Sequence, residues 1–166
     1  MRTVAVNIGS NLGDRMGNLR FAVSRITDFA GDVRTSNIYE TKSWGYASSN
    51  PFFNICVTFE SDLAPEEIYA RCHEIELAAG CITHRDASGG YIDRLLDIDI
   101  ILIGDEVINT DVLTIPHPRY AQRAFVILPL AELLPEWCNP QTGETVAATA
   151  AKINREPIMR ILEWGK

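Results

Sequence analysis

The sequence predicts an α+β fold in which two helices pack on one face of an antiparallel sheet. Stretches of β character and stretches of helical spacing follow one another in the order β-α-β-β-α-β, which is the ferredoxin-like split pattern. A segment with weaker signals follows as a C-terminal extension. No linker, internal repeat or low-complexity tract divides the 166 residues, so we expect a single domain over residues 1–166.

The first half of the chain supplies the first three elements. Small and apolar residues over 3–8 indicate a short buried strand that ends at Gly9. Apolar residues at helical spacing over 19–30 indicate a helix, with Gly31 at its carboxyl end. Residues 33–44 are rich in Thr, Ile, Tyr and Trp and are typical of one strand.

A strand, a helix and a last strand complete the pattern. Apolar side chains alternate on one parity over 52–60, which predicts a half-buried strand. Pro65 followed by two acids predicts a helix start, and the apolar spacing continues to Gly80. Residues 81–93 have no clear period and are expected to form a mobile loop, whereas residues 95–103 are strongly β.

The C-terminal extension is less regular. Short strands are predicted at 107–108 and 113–115. Residues 124–134 predict a helix that is interrupted near Pro129, because proline lacks the N–H that a helix interior needs. Residues 158–164 form an apolar end without an assigned element.

Two carboxylates stand in the last strand of the pattern. Asp97 and Asp99 are two residues apart in an otherwise aliphatic run, so they lie on the same face of the strand. Two like charges held side by side need a compensating cation. Lysine or arginine could supply it, but Mg²⁺ does so better because it accepts several oxygens at once. The alternative is an exposed edge strand whose aspartates are simply solvated.

A basic stretch follows the carboxylates. Residues 112–131 contain no acid but include His117, Arg119 and Arg123, and Arg94 directly precedes the acidic strand. Guanidinium and imidazole groups are suitable donors to phosphate. Beside an Asp-x-Asp strand they indicate a metal–nucleotide site, in which carboxylates hold the metal and cations hold the phosphates. The alternative is a set of surface charges that balance nearby acids.

Aromatic residues flank the same region. Phe52 and Phe53 are adjacent in a strand and must point to opposite faces, so one can join the core while the other lines a pocket. Asn54 follows them, and Phe125 follows the basic stretch. An aromatic ring beside an amide suits a flat heterocycle, although the same residues could all be core aromatics.

Composition limits the classes of partner. The chain has 15 Lys+Arg against 22 Asp+Glu, a net charge of −7, which disfavours nucleic acid and anionic membranes as partners. It contains no P-loop and no G-x-G-x-x-G segment. None of the four cysteines forms a C-x-x-C pair, so we expect reduced thiols in a cytoplasmic protein.

The motifs taken together resemble a known family. The runs NPFFN at 50–54, RLLDIDI at 94–100 and LTIPH at 113–117 are similar to those of 6-hydroxymethyl-7,8-dihydropterin pyrophosphokinase of folate biosynthesis, and the match covers residues 3–135. The resemblance implies a ferredoxin-like monomer. It also implies an enzyme that transfers the pyrophosphoryl group of ATP to the pterin hydroxymethyl group, giving AMP.

The resemblance also assigns roles to residues. It implies that Asp97 and Asp99 hold two Mg²⁺ ions that accompany ATP as co-substrate. The residues implied in ATP binding are Arg94, Ile100, Thr114, His117 and Arg123, with His73 and Glu76 on the preceding helix. Those implied at the pterin are Phe52 and Phe125 on either side of the ring, Asn54 at its edge, Asp97, and the main chain near Thr41, Lys42 and Trp44. The residues implied in catalysis are Arg94, Asp97, Asp99, His117 and Arg123.

Two places depart from the family pattern. Ile92 and Asp93 precede Arg94 where the family usually has small residues, and Cys81 stands where the family usually has an arginine. His84 and Arg85 are the cations of this loop. One alternative is therefore a degenerate homologue that binds pterin or nucleotide with little or no catalysis. Another is a ferredoxin-like metal-binding or assembly module.

Overall fold

A computed structural model describes residues 1–81 and 86–165 of the protein. Its elements, in chain order, are β1 (Arg2–Ser10), α1 (Arg15–Ala30), β2 (Val33–Thr35), β3 (Ile38–Thr41), β4 (Phe52–Ser61), α2 (Pro65–Ala78), β5 (Asp97–Ile103), β6 (Ile108–Asn109), β7 (Thr114–Ile115), α3 (Ala124–Leu133), α4 (Val146–Lys152) and β8 (Ile158–Leu162). His84 and Arg85, the cations predicted for the loop, lie outside the described residues. Over the described ranges, no helix is long and apolar enough to cross a membrane.

The main sheet is antiparallel throughout. Its strand order is β5-β1-β4-β3-β8, and β2 pairs with β4 beside β3. Without β8, this is the order expected for a β-α-β-β-α-β chain in which each helix connects two strands that have one other strand between them. The predicted α+β, ferredoxin-like fold is therefore confirmed. A separate two-stranded ribbon consists of β6 and β7.

Side chains of β1 alternate between two cores, one on each face of the sheet. Val4, Val6 and Ile8 pack with apolar residues of α1 and α2. Ala5 packs instead with residues of α3 and α4. Because helices cover both faces, β1 is buried along most of its length. The two helices predicted on one face are α1 and α2, and α3 covers the other.

Three predictions about the elements are wrong. The single strand expected over 33–44 is divided into β2 and β3 at Ser36. The backbone N–H of Ser36 donates to Cys56 O of β4, but the Ser36 hydroxyl accepts from Cys56 N–H, where a regular strand would use a backbone carbonyl. The last residues of that stretch belong to a loop. The C-terminal extension contains a helix, α4, and a strand, β8, at places where residue spacing shows no distinct period and predicts no element.

The third error concerns α3, which continues through Pro129 without interruption. Pro129 cannot donate to the carbonyl oxygen of Phe125, four residues earlier. The buried amide of Asn7 on β1 replaces this bond: oriented with its nitrogen towards the helix, it donates to Phe125 O at 3.1 Å and to Ile55 O at 3.2 Å. A side chain of the sheet thus satisfies the helix and fixes the backbone of Phe125.

Strand β8 is fastened to β3 by a buried carboxylate. Glu40 accepts from Arg15 at 3.0 Å and pairs with Arg160 of β8. The Arg15 guanidinium also lies 3.8 Å from the centre of the Phe53 ring. Burial alone would raise the pKa of Glu40, but Arg160 and Arg15 lower it below its ordinary value. One ionised side chain therefore joins α1, β3 and β8.

This arrangement predicts a pH-dependent contribution to stability. We expect Glu40→Gln to lower the free energy of unfolding at pH 7 by roughly 1–3 kcal/mol, because two charge-assisted hydrogen bonds are lost. The folded-state pKa is depressed, so the stabilisation is present above the ordinary value of 4.5 and is lost as the pH falls through the lower folded value. The difference between wild type and variant should shrink on acidification in urea unfolding followed by circular dichroism. The exposed Glu74→Gln serves as control, and a difference that stays constant with pH would contradict the assignment.

Candidate active site

A cleft of about 360 Å³ opens on the face of the sheet that α3 covers, at the amino end of this helix. Eleven of the predicted site residues line it: Thr41, Lys42, Trp44, Phe52, Asn54, Arg94, Asp97, Asp99, His117, Arg123 and Phe125. These residues are scattered over more than eighty positions of the sequence. The fold therefore brings together the acidic strand, the basic stretch and the aromatic residues.

The floor of the cleft is a row of residues across three strands. Gly9 on β1 pairs directly with Asn54 on β4 and with Asp97 on β5, so the three residues share one face. A Cβ atom at Gly9 would lie 2.9 Å from Asn54 Oδ1, which is closer than real Cβ contacts. Glycine therefore allows the Asn54 amide to lie directly against the backbone of β1.

The acidic pair lies at one side of this floor. Asp97 and Asp99 point to the same face of β5, as the period of two predicts, and are half-buried. Each is paired with an arginine: Arg94 Nη1 lies 3.1 Å from Asp97 Oδ2, and Arg123 Nη1 lies 3.4 Å from Asp99 Oδ2. The aspartates are thus not simply solvated. Burial raises the pKa of Asp99, although Arg123 and Arg94 act to lower it.

The two arginines are nearly buried and are held by aromatic rings. The Arg123 guanidinium lies 4.4 Å from the centre of the Trp44 ring and 5.7 Å from that of Phe125. The Arg94 guanidinium lies 5.6 Å from Tyr91 and 5.9 Å from Phe52. These distances are typical of cation–π contacts.

Each of these arginines retains an unused donor. Within the described part of the chain, Nε of Arg94 and Nε of Arg123 have no hydrogen-bond partner although both atoms are buried. A buried donor without a partner is costly, and an acceptor oxygen from a ligand would relieve that cost. The donor set therefore fits an anion with several oxygens, such as a polyphosphate.

His117 is a neutral donor rather than a cation. Burial, together with the charges of Arg123 and Arg119, lowers the pKa of His117 to about 4. Its Nδ1 accepts from the backbone N–H of Arg119 at 3.1 Å, so the ring proton resides on Nε2. Nε2 lies 4.0 Å from Asp99 Oδ2, at the edge of the cleft. The imidazole can thus donate one hydrogen bond near neutral pH.

Aromatic residues and one amide form the opposite side of the cleft. Phe52 lines the cleft whereas Phe53 belongs to the core, as the alternation in a strand requires. Asn54 is buried and donates through Nδ2 to Thr41 Oγ1 at 3.1 Å, which fixes the orientation of its amide. Its Oδ1 faces Gly9. This side offers flat apolar surfaces and one oriented amide.

Four predicted site residues do not line the cleft. Ile100 is buried, and Thr114 lies in β7. Glu76 lies behind the acidic strand, where its Oε1 accepts from Ile98 N at 2.7 Å. The pKa of Glu76 is raised to about 8, mainly by burial; the nearby Asp97 and Asp99 act in the same direction, and the hydrogen bond from Ile98 N–H opposes them. His73 is largely exposed, with Nδ1 3.4 Å from Glu76 Oε2.

Sequence reasoning missed several residues that line the cleft. Asn7, Gly9, Tyr46, Tyr91 and Pro118 lie there beside Arg119, which donates to the Tyr91 hydroxyl at 2.9 Å. The rings of Tyr46 and Tyr91 stack with centres 6.3 Å apart. The sequence feature that could have identified Tyr46 and Tyr91 is their position in segments rich in Gly and Ser, because binding residues lie disproportionately often on loops.

The loop at Cys81 can be described in part. Residues 82–85 lie outside the described residues, while residues 86–90 form a turn in which Asp86 accepts from the N–H groups of Ser88 and Gly90. The Cys81 thiol is buried and contacts both backbone groups of Leu96. Cysteine at this position therefore secures the approach to β5.

Known proteins match both the sequence and the fold. The family model for 7,8-dihydro-6-hydroxymethylpterin-pyrophosphokinase (HPPK) matches residues 5–135. Curated proteins named 2-amino-4-hydroxy-6-hydroxymethyldihydropteridine pyrophosphokinase are 34% identical over 140 residues in Aquifex aeolicus (84% of this chain, 85% of the relative) and 36% identical over 155 residues in Bacillus subtilis (92% and 86%). The protein of the same name from Porphyromonas gingivalis is 38% identical over 143 residues (85% and 96%).

Solved structures agree on the fold. An HPPK-DHPS in complex with substrates matches with a TM-score of 0.71 at 14% identity, covering 90% of this chain and 44% of that one. The Plasmodium falciparum HPPK-DHPS A437G structure matches with a TM-score of 0.70 at 16% identity, covering 91% and 42%. The chain thus spans less than half the length of these solved chains.

Proposed function

The chain belongs to the 7,8-dihydro-6-hydroxymethylpterin-pyrophosphokinase family, and from that premise we propose how its cleft performs the reaction. The protein is a pyrophosphokinase of folate biosynthesis that transfers the pyrophosphoryl group of ATP to hydroxymethyldihydropterin. The observation that carries the assignment of roles is the single cleft in which two paired carboxylates, two arginines with unused donors and an oriented amide meet.

The pterin binds on the Asn54 side of the cleft. Phe52 and Phe125 stack against the two faces of the ring, and the Asn54 amide forms hydrogen bonds with its edge. The ring lies between Asn54 and Asp97, which flank Gly9 in the sheet. Main-chain groups near Thr41, Lys42 and Trp44 complete this side.

The phosphates of ATP bind on the arginine side. Arg94 and Arg123 donate to phosphate oxygens through the nitrogen atoms that are unused, and neutral His117 donates through Nε2. The nucleotide contacts expected of Ile100 and Thr114 stay predictions, because neither residue lines the cleft. Glu76 holds the backbone of the acidic strand, and His73 lies beside its carboxyl group.

The carboxylates suit magnesium. Mg²⁺ is usually bound through one or two carboxylates together with water and substrate phosphates, so the pair fits although the described residues contain no group of three or more potential ligands. Asp97 and Asp99 would hold two Mg²⁺ ions. When bound, the ions neutralise the charge of the triphosphate and polarise the phosphoryl oxygens.

The reaction itself requires little covalent assistance from the protein. The hydroxymethyl oxygen of the pterin attacks the β-phosphorus, the bond between the β-phosphorus and the bridging oxygen to the α-phosphate breaks, and AMP leaves. The hydroxyl proton passes to solvent. The chain contributes by aligning the two substrates and by stabilising the charge that spreads over the transferred group.

We also propose one domain, a monomer and a cytoplasmic location. The family model ends at residue 135, yet α4 packs on the same core as α3, and β8 joins the same sheet as β3. This continuity supports a single domain over the whole chain. Because one chain supplies both sides of the cleft, a monomer has all the groups that the reaction needs.

The test of this function is AMP formation from ATP, Mg²⁺ and 6-hydroxymethyl-7,8-dihydropterin, followed by chromatography of the nucleotides. We expect AMP and the pterin diphosphate in equal amounts, and no AMP when the pterin is omitted. A degenerate homologue would instead bind the pterin, measured by its fluorescence, without forming AMP. ADP as the nucleotide product would refute pyrophosphoryl transfer.

A further inference from the structure

The carboxylate of Asp93 accepts hydrogen bonds from two other parts of the chain. Its Oδ1 accepts from Asn11 Nδ2 at 2.8 Å and from the Tyr46 hydroxyl at 3.0 Å. Its Oδ2 accepts from Asn50 Nδ2 at 2.7 Å. These partners lie 82, 47 and 43 residues from Asp93 along the chain, so none of the contacts follows from local structure.

One of these partners fixes the backbone of Arg94. The backbone N–H of Asn11 donates to Arg94 O at 3.1 Å, and Asn11 Oδ1 accepts from Arg94 N at 2.7 Å. The peptide unit that carries the nucleotide-side arginine is therefore held on both sides by Asn11. Asp93 in turn orients the Asn11 side chain by accepting from its amide nitrogen.

The other two partners belong to the segment over residues 42–51. This segment carries Lys42, Trp44 and Tyr46 into the cleft and leads into β4 at Phe52. Its composition of Gly, Ser and Asn gives it little propensity for helix or strand. Hydrogen bonds from Tyr46 and Asn50 to Asp93 thus fasten the middle and the end of this segment.

The protonation states keep these bonds in place near neutral pH. Burial alone would raise the pKa of Asp93, but donors around it lower the pKa below its ordinary value, namely those of Ser48, Asn11, Tyr46 and Asn50. Burial and the neighbouring Asp93 raise the pKa of Tyr46 to about 12. Asp93 is therefore an ionised acceptor and Tyr46 a protonated donor.

We propose that Asp93 is a positioning residue of the pyrophosphokinase reaction, because its carboxylate couples the segment over residues 42–51 on the pterin side to the Arg94 backbone on the nucleotide side. This inference rests on the roles proposed for the two sides of the cleft. Asp93 itself contacts neither substrate and acts through Tyr46, Asn50 and Asn11. Misplacing the two sides relative to each other lowers the rate even when each substrate still binds.

The decisive variants are Asp93→Asn, Asn50→Asp and their combination. Asp93→Asn removes the charge and places an amide against the Asn50 amide, and Asn50→Asp places two carboxylates together. The combination exchanges donor and acceptor and restores the hydrogen bond between the two positions without changing the net charge. We expect each single variant to raise KM for the pterin and lower kcat, with kcat/KM reduced about tenfold or more.

The combination should recover part of the loss in both KM and kcat. Asp105→Asn, an exposed acid in the turn after β5, is the matched control and should equal wild type. Hydrogen exchange of the amides over residues 43–51 provides a readout that needs no turnover. Exchange should be faster in the single variants and slower again in the combination. The global Tm is measured for the wild type, both single variants and the combination, because a loss of activity at unchanged Tm indicates positioning and not unfolding.

The outcomes distinguish this inference from the proposed function. An active wild type together with a fully active Asp93→Asn would overturn the inference and leave the function standing. A combination no better than the single variants would also overturn it. If the wild type itself forms no AMP, the function fails, and hydrogen exchange then decides whether Asp93 fastens the segment.

Discussion

Replacing Asp97 or Asp99 by alanine is expected to lower kcat for AMP formation about 10³-fold or more. Each carboxylate would hold the metal ions that offset the charge of the triphosphate, and loss of a main electrostatic stabiliser has effects of this size. The reduction should be accompanied by a higher Mg²⁺ concentration for half-maximal rate, which a simple loss of folding would not produce. Steady-state kinetics at increasing Mg²⁺ provide the measurement.

Two controls define this prediction. Asp105→Ala removes an exposed acid at the other end of β5 and should retain wild-type kinetics. Asp97→Asn keeps the shape of the side chain, so a loss comparable to that of Asp97→Ala would assign the effect to charge. A decrease of less than tenfold in both alanine variants, with an unchanged Mg²⁺ requirement, would refute the metal assignment.

Arg123→Ala is expected to lower kcat/KM for ATP about 10²- to 10³-fold. Arg123 is 8% exposed, and its guanidinium lies 4.4 Å from the centre of the Trp44 ring, 5.7 Å from that of Phe125, and contacts Asp99. Truncation removes a donor to the phosphates and also leaves the half-buried carboxylate without this partner. The lost phosphate donor acts on the transition state, whereas the lost ion pair acts on stability, and we expect the effect on rate to exceed the effect on Tm.

Arg123→Lys separates charge from geometry. Lysine keeps the positive charge but lacks the planar fork that stacks on Trp44 and presents several donors at once. We expect it to recover less than a tenth of the activity lost in Arg123→Ala. Arg25→Ala, at an exposed position of α1, is the control and should behave as wild type. Full activity in Arg123→Lys would show that a point charge is sufficient.

Much of the core could be predicted because it depends on local period. Because side chains in a strand have a period of two residues, Asp97 and Asp99 lie on one face, whereas Phe52 and Phe53 lie on opposite faces. Proline followed by acids marked the start of α2 at Pro65. These patterns reflect the geometry of a single strand or helix, which the neighbouring residues determine.

Other elements depend on partners far away in the sequence. The continuity of α3 through Pro129 relies on the amide of Asn7, more than a hundred residues earlier. The division between β2 and β3 relies on the pairing of Ser36 with Cys56. No period in the sequence reports such contacts, so the predictions made from local pattern at these places are wrong.

The sequence by itself determined the β-α-β-β-α-β order of the core, the carboxylate pair, the basic stretch and the family resemblance, since each is a property of residue type and spacing. Only the tertiary structure decided how they meet. The sheet register sets Gly9 between Asn54 and Asp97, the packing of α3 brings Arg123 to Asp99, and the carboxylate of Asp93 joins the two sides of the cleft. These relations are distances between residues that are remote in the chain, and they are fixed by the packing of the whole fold.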